Sequence, residues 1–554
     1  MSESRPFIQI GEPVTFKTNA REGTYNNSSN EGNIADPNSR RLKNAGPQII
    51  MPRPAIAGVA HRKASEHSIS IGALILLSAC IVFGAEISSI SSVNGWWVDE
   101  LISIWATDPS RGFVDLLSHR ILSDPNQPLY LAALFAVRHL ILDERSAIVA
   151  LNLASLAAAF AWIGHISQRA GVLGWALGSE ALFLLSGPVL RYVPEGRGYL
   201  MALALSFVAA WHCALASEVP EKRPALLSFA LVGMLAAPIH PYAALMVGGL
   251  ATGMAGTSFI ARRKELLTPG LTLGFATFGT AALWVVLAFS SDNRLVWVEP
   301  LSIQSVLTAY WDVRQLALGS HLAVVMLTSL FIISFVVSGT RSLIAIFGIA
   351  VFLFLLVPVL ISLKQPMLAG RYWLIGAPGL IVFVTFTTRS FLARAELAHA
   401  RSYVMGAIMA FTLLVIIDVN GFFAARADTD GKLICRGAAL AAPLLQHCAP
   451  GSVHVTTEFR AGYAILAHSP EDVFASVDAP ATKWINAKDS ACPVLGWAEH
   501  VFWRGMERLP GDFVQKASAE ELLQLLKIQA APSEVDIRRY TSGFVVLKRG
   551  AFAG

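Results

Sequence analysis

The sequence predicts a polytopic α-helical membrane protein with a small α/β domain at its C-terminal end, and three observations predict it. Hydrophobic residues make up 54% of the 554-residue chain and charged residues only 15%, where soluble domains carry about 25% charged; the mean hydropathy is +0.54. Apolar runs recur between about residues 71 and 419, at the length of about 20 residues that a helix needs to cross a bilayer. From about residue 420 the runs give way to short β-branched stretches and one amphipathic helical pattern. The net charge of +5 is modest and makes no case for nucleic acid as a partner.

Residues 1–70 precede the first run and differ from it. They are rich in Asn, Ser, Gly, Pro and charge, with Asn26-Asn27-Ser28-Ser29-Asn30 at the centre. Too few apolar side chains are present to offset the entropy of ordering, so a disordered tail is expected. The segment is too long and too polar for the n-region of a cleaved signal peptide, and the first run is therefore expected to stay as an anchor.

Eleven spans are expected, at 71–91, 147–168, 173–190, 199–217, 225–239, 242–260, 269–290, 319–338, 342–361, 373–388 and 403–419. The stretch 128–142 is apolar but interrupted by Arg138 and His139, which predicts an interfacial or half-inserted helix. Basic residues set the orientation. With the tail in the cytoplasm, the inner loops near 169–172, 216–224, 261–268, 339–343 and 389–402 carry ten Lys or Arg in forty residues. The outer loops near 92–146, 191–198, 239–241, 291–318 and 362–371 also carry ten, spread over 104 residues. Arg62-Lys63 before the first span and Arg262-Arg263-Lys264 add to the inner side. Eleven spans that start inside end outside, which puts 420–554 in the extracytoplasmic space.

That last segment has short strand patterns at Ser452–Thr457 and Gly543–Leu547 and an amphipathic helix at 518–527 opened by a Ser cap. It holds Cys435, Cys448 and Cys492; an oxidising compartment permits one disulfide, with the pairing open. Cys80 and Cys213 lie in spans and read as small apolar core residues.

The polar clusters all fall on the outer side of this topology. They are Asp99-Glu100, then Asp124-Pro125-Asn126-Gln127-Pro128-Leu129-Tyr130, then Arg191 to Tyr199 with Glu195 and Arg197 inside it, then His240-Pro241-Tyr242, and finally Lys364 with Gly370-Arg371-Tyr372. Ionisable residues at membrane depth are costly and point to a functional cavity. Most informative is the acidic pair, which follows the first span directly in Gly95-Trp96-Trp97-Val98-Asp99-Glu100-Leu101.

This order of motifs resembles the GT-C superfamily of polyprenyl-phosphate-dependent membrane glycosyltransferases. The branch in view includes protein O-mannosyltransferases and the lipid A aminoarabinose transferase. The likeness runs from about residue 71 to 419. It rests on the acidic pair Asp99-Glu100, on Asn126-Gln127-Pro128-Leu129-Tyr130 for a Pro-Pro-Leu-Tyr-like element, on Glu195-Gly196-Arg197-Gly198-Tyr199 for a Glu-Ala-Arg-Pro-Tyr-like second outer loop, and on Arg371-Tyr372 opening a later span. The chain departs from the pattern at Gln127 and at Gly196 and Gly198, where the family has Pro, Ala and Pro. The resemblance implies an inverting transferase in a bacterial inner membrane. It would take a sugar from a polyprenyl-phosphate donor to a hydroxyl of a lipid, polysaccharide or protein acceptor.

Such a transfer needs a base for the acceptor proton and positive charge for the leaving phosphate. Asp99 with Glu100 would supply the first, since a carboxylate with an ordinary pKa near 3.9 is ionised at neutral pH. Arg371, Arg197 and Lys364 would supply the second, Arg being suited to bidentate phosphate contacts. Glu195, His240, Tyr130 and Tyr199 are further candidates for substrate binding. Each has a plainer reading as well. Asp99 and Glu100 would serve as a solvated loop start or an N-cap, Glu195 and Arg197 as a pair closing a turn, and Arg371 as an interfacial cation beside an aromatic belt. His240 would be a helix cap, and Tyr130, Tyr199 and Trp96-Trp97 would be belt residues.

No cofactor is expected. Asp99, Glu100 and Glu195 would make an oxygen-rich site for Mg²⁺ or Mn²⁺, but the Asp-x-Asp spacing of the metal-dependent GT-C branch is absent. A transporter or flippase would show paired repeats and polar residues near the bilayer midplane, whereas the charges here collect at one face. A polysaccharide polymerase or ligase would place its large outer loop late in the membrane domain; here the long outer loop is the first.

Overall fold

In a bilayer the backbone has no water to bond to, so apolar stretches of this length satisfy their own amides as helices. The computed structural model describes residues 69–70, 72–81, 83–84, 98–110, 112–121, 128–184, 189, 192–219, 223–290, 302–311, 341–363, 368, 370–394, 453–456, 473–476, 494–499, 513–526, 528–540 and 543–550. The chain divides into two compact units, Met1–Ala55 and Ile56–Gly554; the first, with nearly all of the expected tail, lies outside the described residues.

Among the described residues six helices are long and apolar enough to cross a membrane. In chain order the helices are α1 (Gly72–Ile81), α2 (Val98–Ala106), α3 (Pro128–Arg138), α4 (Glu144–Ala170), α5 (Leu173–Leu184), α6 (Tyr199–Glu218), α7 (Leu226–Ile239), α8 (Pro241–Ile260), α9 (Leu267–Ser290), α10 (Ile303–Trp311), α11 (Arg341–Ser362) and α12 (Ala377–Arg394), the last preceded by a 3-10 turn at Gly370–Gly376. The six long ones are α4, α6, α8, α9, α11 and α12; α1, α3, α5 and α7 are shorter apolar helices. Nine of the eleven expected spans therefore overlap described helices, six of them helices long enough to cross a membrane, while 319–338 and 403–419 lie outside the described residues. The interrupted stretch at 128–142 is the helix α3, and Arg138 at its end is buried rather than solvated.

α6 is buried along nearly its whole length and α12 almost as fully, so these two form the centre; α4, α9 and α11 each keep an outward face. That outward face is apolar, with Phe275, Leu283, Val286 and Phe352 exposed, as lipid contact requires and aqueous contact does not. Cys213 is buried as expected, but Cys80 is exposed on α1. The reason is that α1 is short and covered on one side only, with Leu74, Leu77 and Ile81 also turned outward.

Helix crossings are set by glycine. A Cβ on Gly249 would lie 2.9 Å from the Ala350 carbonyl oxygen, and one on Gly253 would lie 2.8 Å from the Ile346 Cα. This Gly-x-x-x-Gly spacing lets α8 and α11 pack backbone to backbone. Since 249 meets 350 and 253 meets 346, the two helices are antiparallel. α9 is likewise antiparallel to α8, with Gly270 against Met254 and Ala255 and Gly248 against Phe278. At the end of α4, Gly171 takes φ 74° and stops the helix, a left-handed conformation in which side chains are strained. Its start is capped by Asp143, which accepts from the Ser146 amide at 2.7 Å; the Ser146 hydroxyl and then this amide hold the carboxyl below its usual range.

The C-terminal elements form a five-stranded sheet of order β2-β1-β3-β5-β4, from β1 (Val453–Thr456), β2 (Val473–Ser476), β3 (Val494–Glu499), β4 (Val535–Tyr540) and β5 (Gly543–Lys548). β1 pairs in parallel with β2 and β3, while β5 is antiparallel to both β3 and β4. The helix α13 (Ala519–Leu525) is opened by Ser518 in a capping box with Glu521, and Leu522, Leu523 and Leu526 pack with Val535, Phe544 and Val546. Both strand patterns and the capped helix foreseen from sequence are present. Cys435, Cys448 and Cys492 lie outside the described residues.

Candidate active site at one end of the helix bundle

The acidic pair sits in the first turn of α2, where carboxylates are favoured by the helix dipole. Asp99 is placed by its backbone; its side chain lies outside the described residues. Glu100 is 0% exposed, so the solvated-loop reading does not hold for it. An ionised carboxylate so buried needs a counter-charge, and Arg145 on the first turn of α4 provides it, with Nη1 3.7 Å from Oε1. The same guanidinium donates to the Pro194 carbonyl at 2.9 Å. One side chain thus ties the acidic helix to the loop that carries Glu195 and Arg197.

That loop is packed directly on Glu100. A Cβ on Gly196 would stand 3.0 Å from Ile148 Cδ1, 3.4 Å from Glu100 Cα and 3.5 Å from Glu100 Cβ. The glycine that departs from the family pattern is therefore where the turn comes closest to the acidic helix. Beneath the turn, Asn152 donates to the carbonyls of Val193 at 2.8 Å and Glu195 at 3.0 Å. From α3, the Tyr130 hydroxyl reaches the Glu195 carbonyl at 3.5 Å.

Tyr130 is completely buried, which overturns its reading as a belt residue and makes it a prop under the turn. Burial pushes its phenol well above the usual range, the Glu100 charge adds to the rise and the Arg197 charge opposes it. The Tyr130 hydroxyl and the Asn152 amide thus reach the same Glu195 carbonyl. Glu195 is itself 8% exposed.

A second cluster adjoins the first. Tyr199 opens α6, His240 caps α8 by accepting from the Tyr242 amide at 3.2 Å, and Tyr372 lies in the 3-10 turn before α12. Their rings meet, with centroids 5.5 Å apart for Tyr199 and His240, 5.2 Å for His240 and Tyr372, and 6.0 Å for Tyr199 and Tyr372. Tyr199 is buried here and is no belt residue. The cap reading of His240 holds, and its ring also forms part of this aromatic wall. Arg371 is placed by backbone in the same turn, though its side chain lies outside the described residues, as does Lys364 entirely.

The N-terminal ends of α4, α6, α8 and α12 thus converge at one end of the bundle, carrying Arg145, Tyr199, His240 and Tyr372. Sequence reasoning missed Arg145, Asn152 and Arg138. Arg145 enters the sequence reading only in the charge count of the 92–146 loop, and Asn152 is an amide inside the expected span 147–168. Arg138 holds the far end of α2, donating to the Ile104 carbonyl and, at 3.3 Å each, to Thr107 Oγ1 and Glu144 Oε1. Among the described residues no group of three or more His, Cys, Asp or Glu is gathered as a metal site.

By sequence, no protein-family model and no curated protein matches the chain. By structure it matches ArnT from Cupriavidus metallidurans, solved in the apo state with a TM-score of 0.54 and bound to undecaprenyl phosphate with a TM-score of 0.53. Each comparison has 12% identity and covers 87% of this chain and 98% of the other. The chain therefore shares its fold with these ArnT structures, in line with the resemblance that its motifs carry.

Proposed function

We propose that the chain is an inverting glycosyltransferase that moves a sugar from a polyprenyl-phosphate monosaccharide to a hydroxyl of a cell-envelope acceptor, working at the outer face of a bacterial inner membrane. One observation carries the reading: a helix bearing Asp99 and the buried Glu100 is locked against the Glu195–Arg197 turn, at the end of the bundle where His240, Tyr199 and Tyr372 meet. A fold shared with a protein that binds undecaprenyl phosphate supports it.

In this reading Asp99 takes the proton from the acceptor hydroxyl as that oxygen bonds to the anomeric carbon. The bond from the anomeric carbon to the phosphate oxygen breaks in the same step, and polyprenyl phosphate leaves with the electron pair. Configuration inverts, and no covalent sugar intermediate forms. Glu100, paired to Arg145, holds α2 in register. Arg197, Arg371 and Lys364 offset the charge that grows on the leaving phosphate. His240, Tyr199 and Tyr372 wall the site. The leaving group is already an activated phosphate, so no cofactor enters the scheme. The acceptor is a lipid, a polysaccharide or a protein.

The test is consumption of a panel of radiolabelled polyprenyl-phosphate monosaccharides by purified protein in detergent, with total membrane lipid as acceptor and with or without EDTA. Wild type is expected to consume one donor. Asp99→Asn is expected to lower the rate by a factor of about 10² to 10⁴, the usual contribution of a positioned base, with unchanged expression and insertion. Folded wild-type protein that consumes no donor would sink the reading.

A further inference from the structure

We infer that Asn152 is a positioning residue of the site, holding the second outer loop in the geometry that sets Glu195 and Arg197 over Glu100. The inference rests on the transferase reading for its kinetic consequence, and on geometry alone for the anchoring itself.

Asn152 is 0% exposed and lies eight residues into α4, inside an otherwise apolar span. Its position follows Arg145 by seven residues, two helical turns, so Arg145, Ile148 and Asn152 line one face. All three meet the same stretch of chain. Arg145 bonds the Pro194 carbonyl, Ile148 stands where a Cβ of residue 196 would go, and Asn152 bonds the carbonyls of Val193 and Glu195. The Tyr192 carbonyl lies 3.4 Å from the same amide nitrogen.

Chemistry explains why an amide stands here. Residues 193–198 are not helical, so the buried carbonyls of Val193 and Glu195 have no partner from a helix or strand and need donors. A carboxamide has two N–H groups in one plane, enough for two carbonyls two residues apart. Leucine fills the same volume and supplies no donor; aspartate has nearly the same shape and sets acceptors against acceptors. Asn152 is fully buried, so the Val193 and Glu195 carbonyls find no water in place of the lost donor. The turn, freed, would drift from Glu100, and a displacement of about 1 Å at reacting groups is worth about 10²-fold in rate.

The experiment compares wild type with Asn152→Asp, Asn152→Leu and Asn152→His, the last keeping a ring N–H donor, and with Ser155→Ala as a control, whose hydroxyl bonds only its own helix at Leu151 O. Hydrogen exchange of the purified protein in detergent is expected to lose protection at 192–199 in Asn152→Asp and Asn152→Leu, and to keep it in Ser155→Ala. With the donor consumed by wild type, turnover is expected to fall about 10- to 100-fold in the first two variants, with donor KM within about threefold and partial recovery in Asn152→His. Unchanged exchange at 192–199 would overturn the inference, as would full turnover per folded molecule or a loss confined to KM. If Asn152→Asp and Asn152→Leu do not accumulate, Asn152→His is read by the same exchange and turnover criteria. Wild type inactive on every donor would remove the transferase reading while the exchange result still decides whether Asn152 anchors the turn.

Discussion

Glu100 is worth more to this protein through what it is tied to than through its own exposure to substrate, since it is fully buried against Arg145. A buried pair is stable only as a pair. Removing one partner leaves the other charge stranded at a cost of about 3 to 5 kcal/mol, whereas replacing both with apolar groups is often neutral. Glu100→Gln is thus expected to lower the thermal midpoint in detergent sharply. The double variant Glu100→Leu with Arg145→Met is expected to recover most of that stability and none of the donor consumption. A double variant no more stable than Glu100→Gln would show that the pair is not coupled. At this scale the acidic pair, Glu195, Arg197, His240 and Tyr199 stand out in the sequence as polar or ring-bearing residues beside apolar runs, and the structure places them at one end of the bundle. Asn152 does not stand out in the same way, because its partners are backbone carbonyls of a loop far along the chain, and neither does Arg145, whose partners are one such carbonyl and a carboxylate 45 residues earlier; no spacing rule points to either. The belt reading of Tyr130 and Tyr199 failed for a related reason: an aromatic near an interface has the same sequence signal whether it faces lipid or props up a buried turn.

Elements were easier to read than residues. Length and hydropathy determine where a helix must form in a bilayer, and nine expected spans overlap described helices. Their ends were harder to read. The run expected at 173–190 is described as helix over Leu173–Leu184 and again at Val189, with 185–188 outside the described residues. Hydropathy is also blind to crossings, which here depend on the absence of side chains. Gly253 allows α8 to touch the Ile346 backbone, while a Cβ on Gly279 of α9 would meet nothing within 4 Å. Gly253→Leu is expected to destroy the monodisperse, folded species in size-exclusion chromatography, and Gly279→Leu to leave it intact within about 0.5 kcal/mol, the usual range for a change that meets no neighbour. Equal behaviour of the two would mean that α8 and α11 do not pack through their backbones.

At the scale of the molecule the helix directions make an argument that no single element makes. α9 and α11 are both antiparallel to α8, so they run the same way, and the connection from Ser290 to Arg341 joins opposite ends of the bundle. That is the consequence expected of a span at 319–338, which lies outside the described residues. With that span counted, the starts of α4, α6, α8 and α12 all belong to one membrane face, and their side chains do meet there. The same counting carries forward to the C-terminal sheet: an eleventh span at 403–419 would put it on the face of the site, where it has access to the acceptor. Single cysteines in a chain cleared of its five native ones test this at exposed positions. A membrane-impermeant maleimide on intact spheroplasts is expected to label Ser110→Cys and Glu520→Cys, which ten expected spans separate, and to label Arg262→Cys only after permeabilisation. If Glu520→Cys instead behaves as Arg262→Cys does, the count beyond Arg394 is off by one, and the sheet lies across the membrane from the acidic pair. It would then have no part in gripping an outer acceptor.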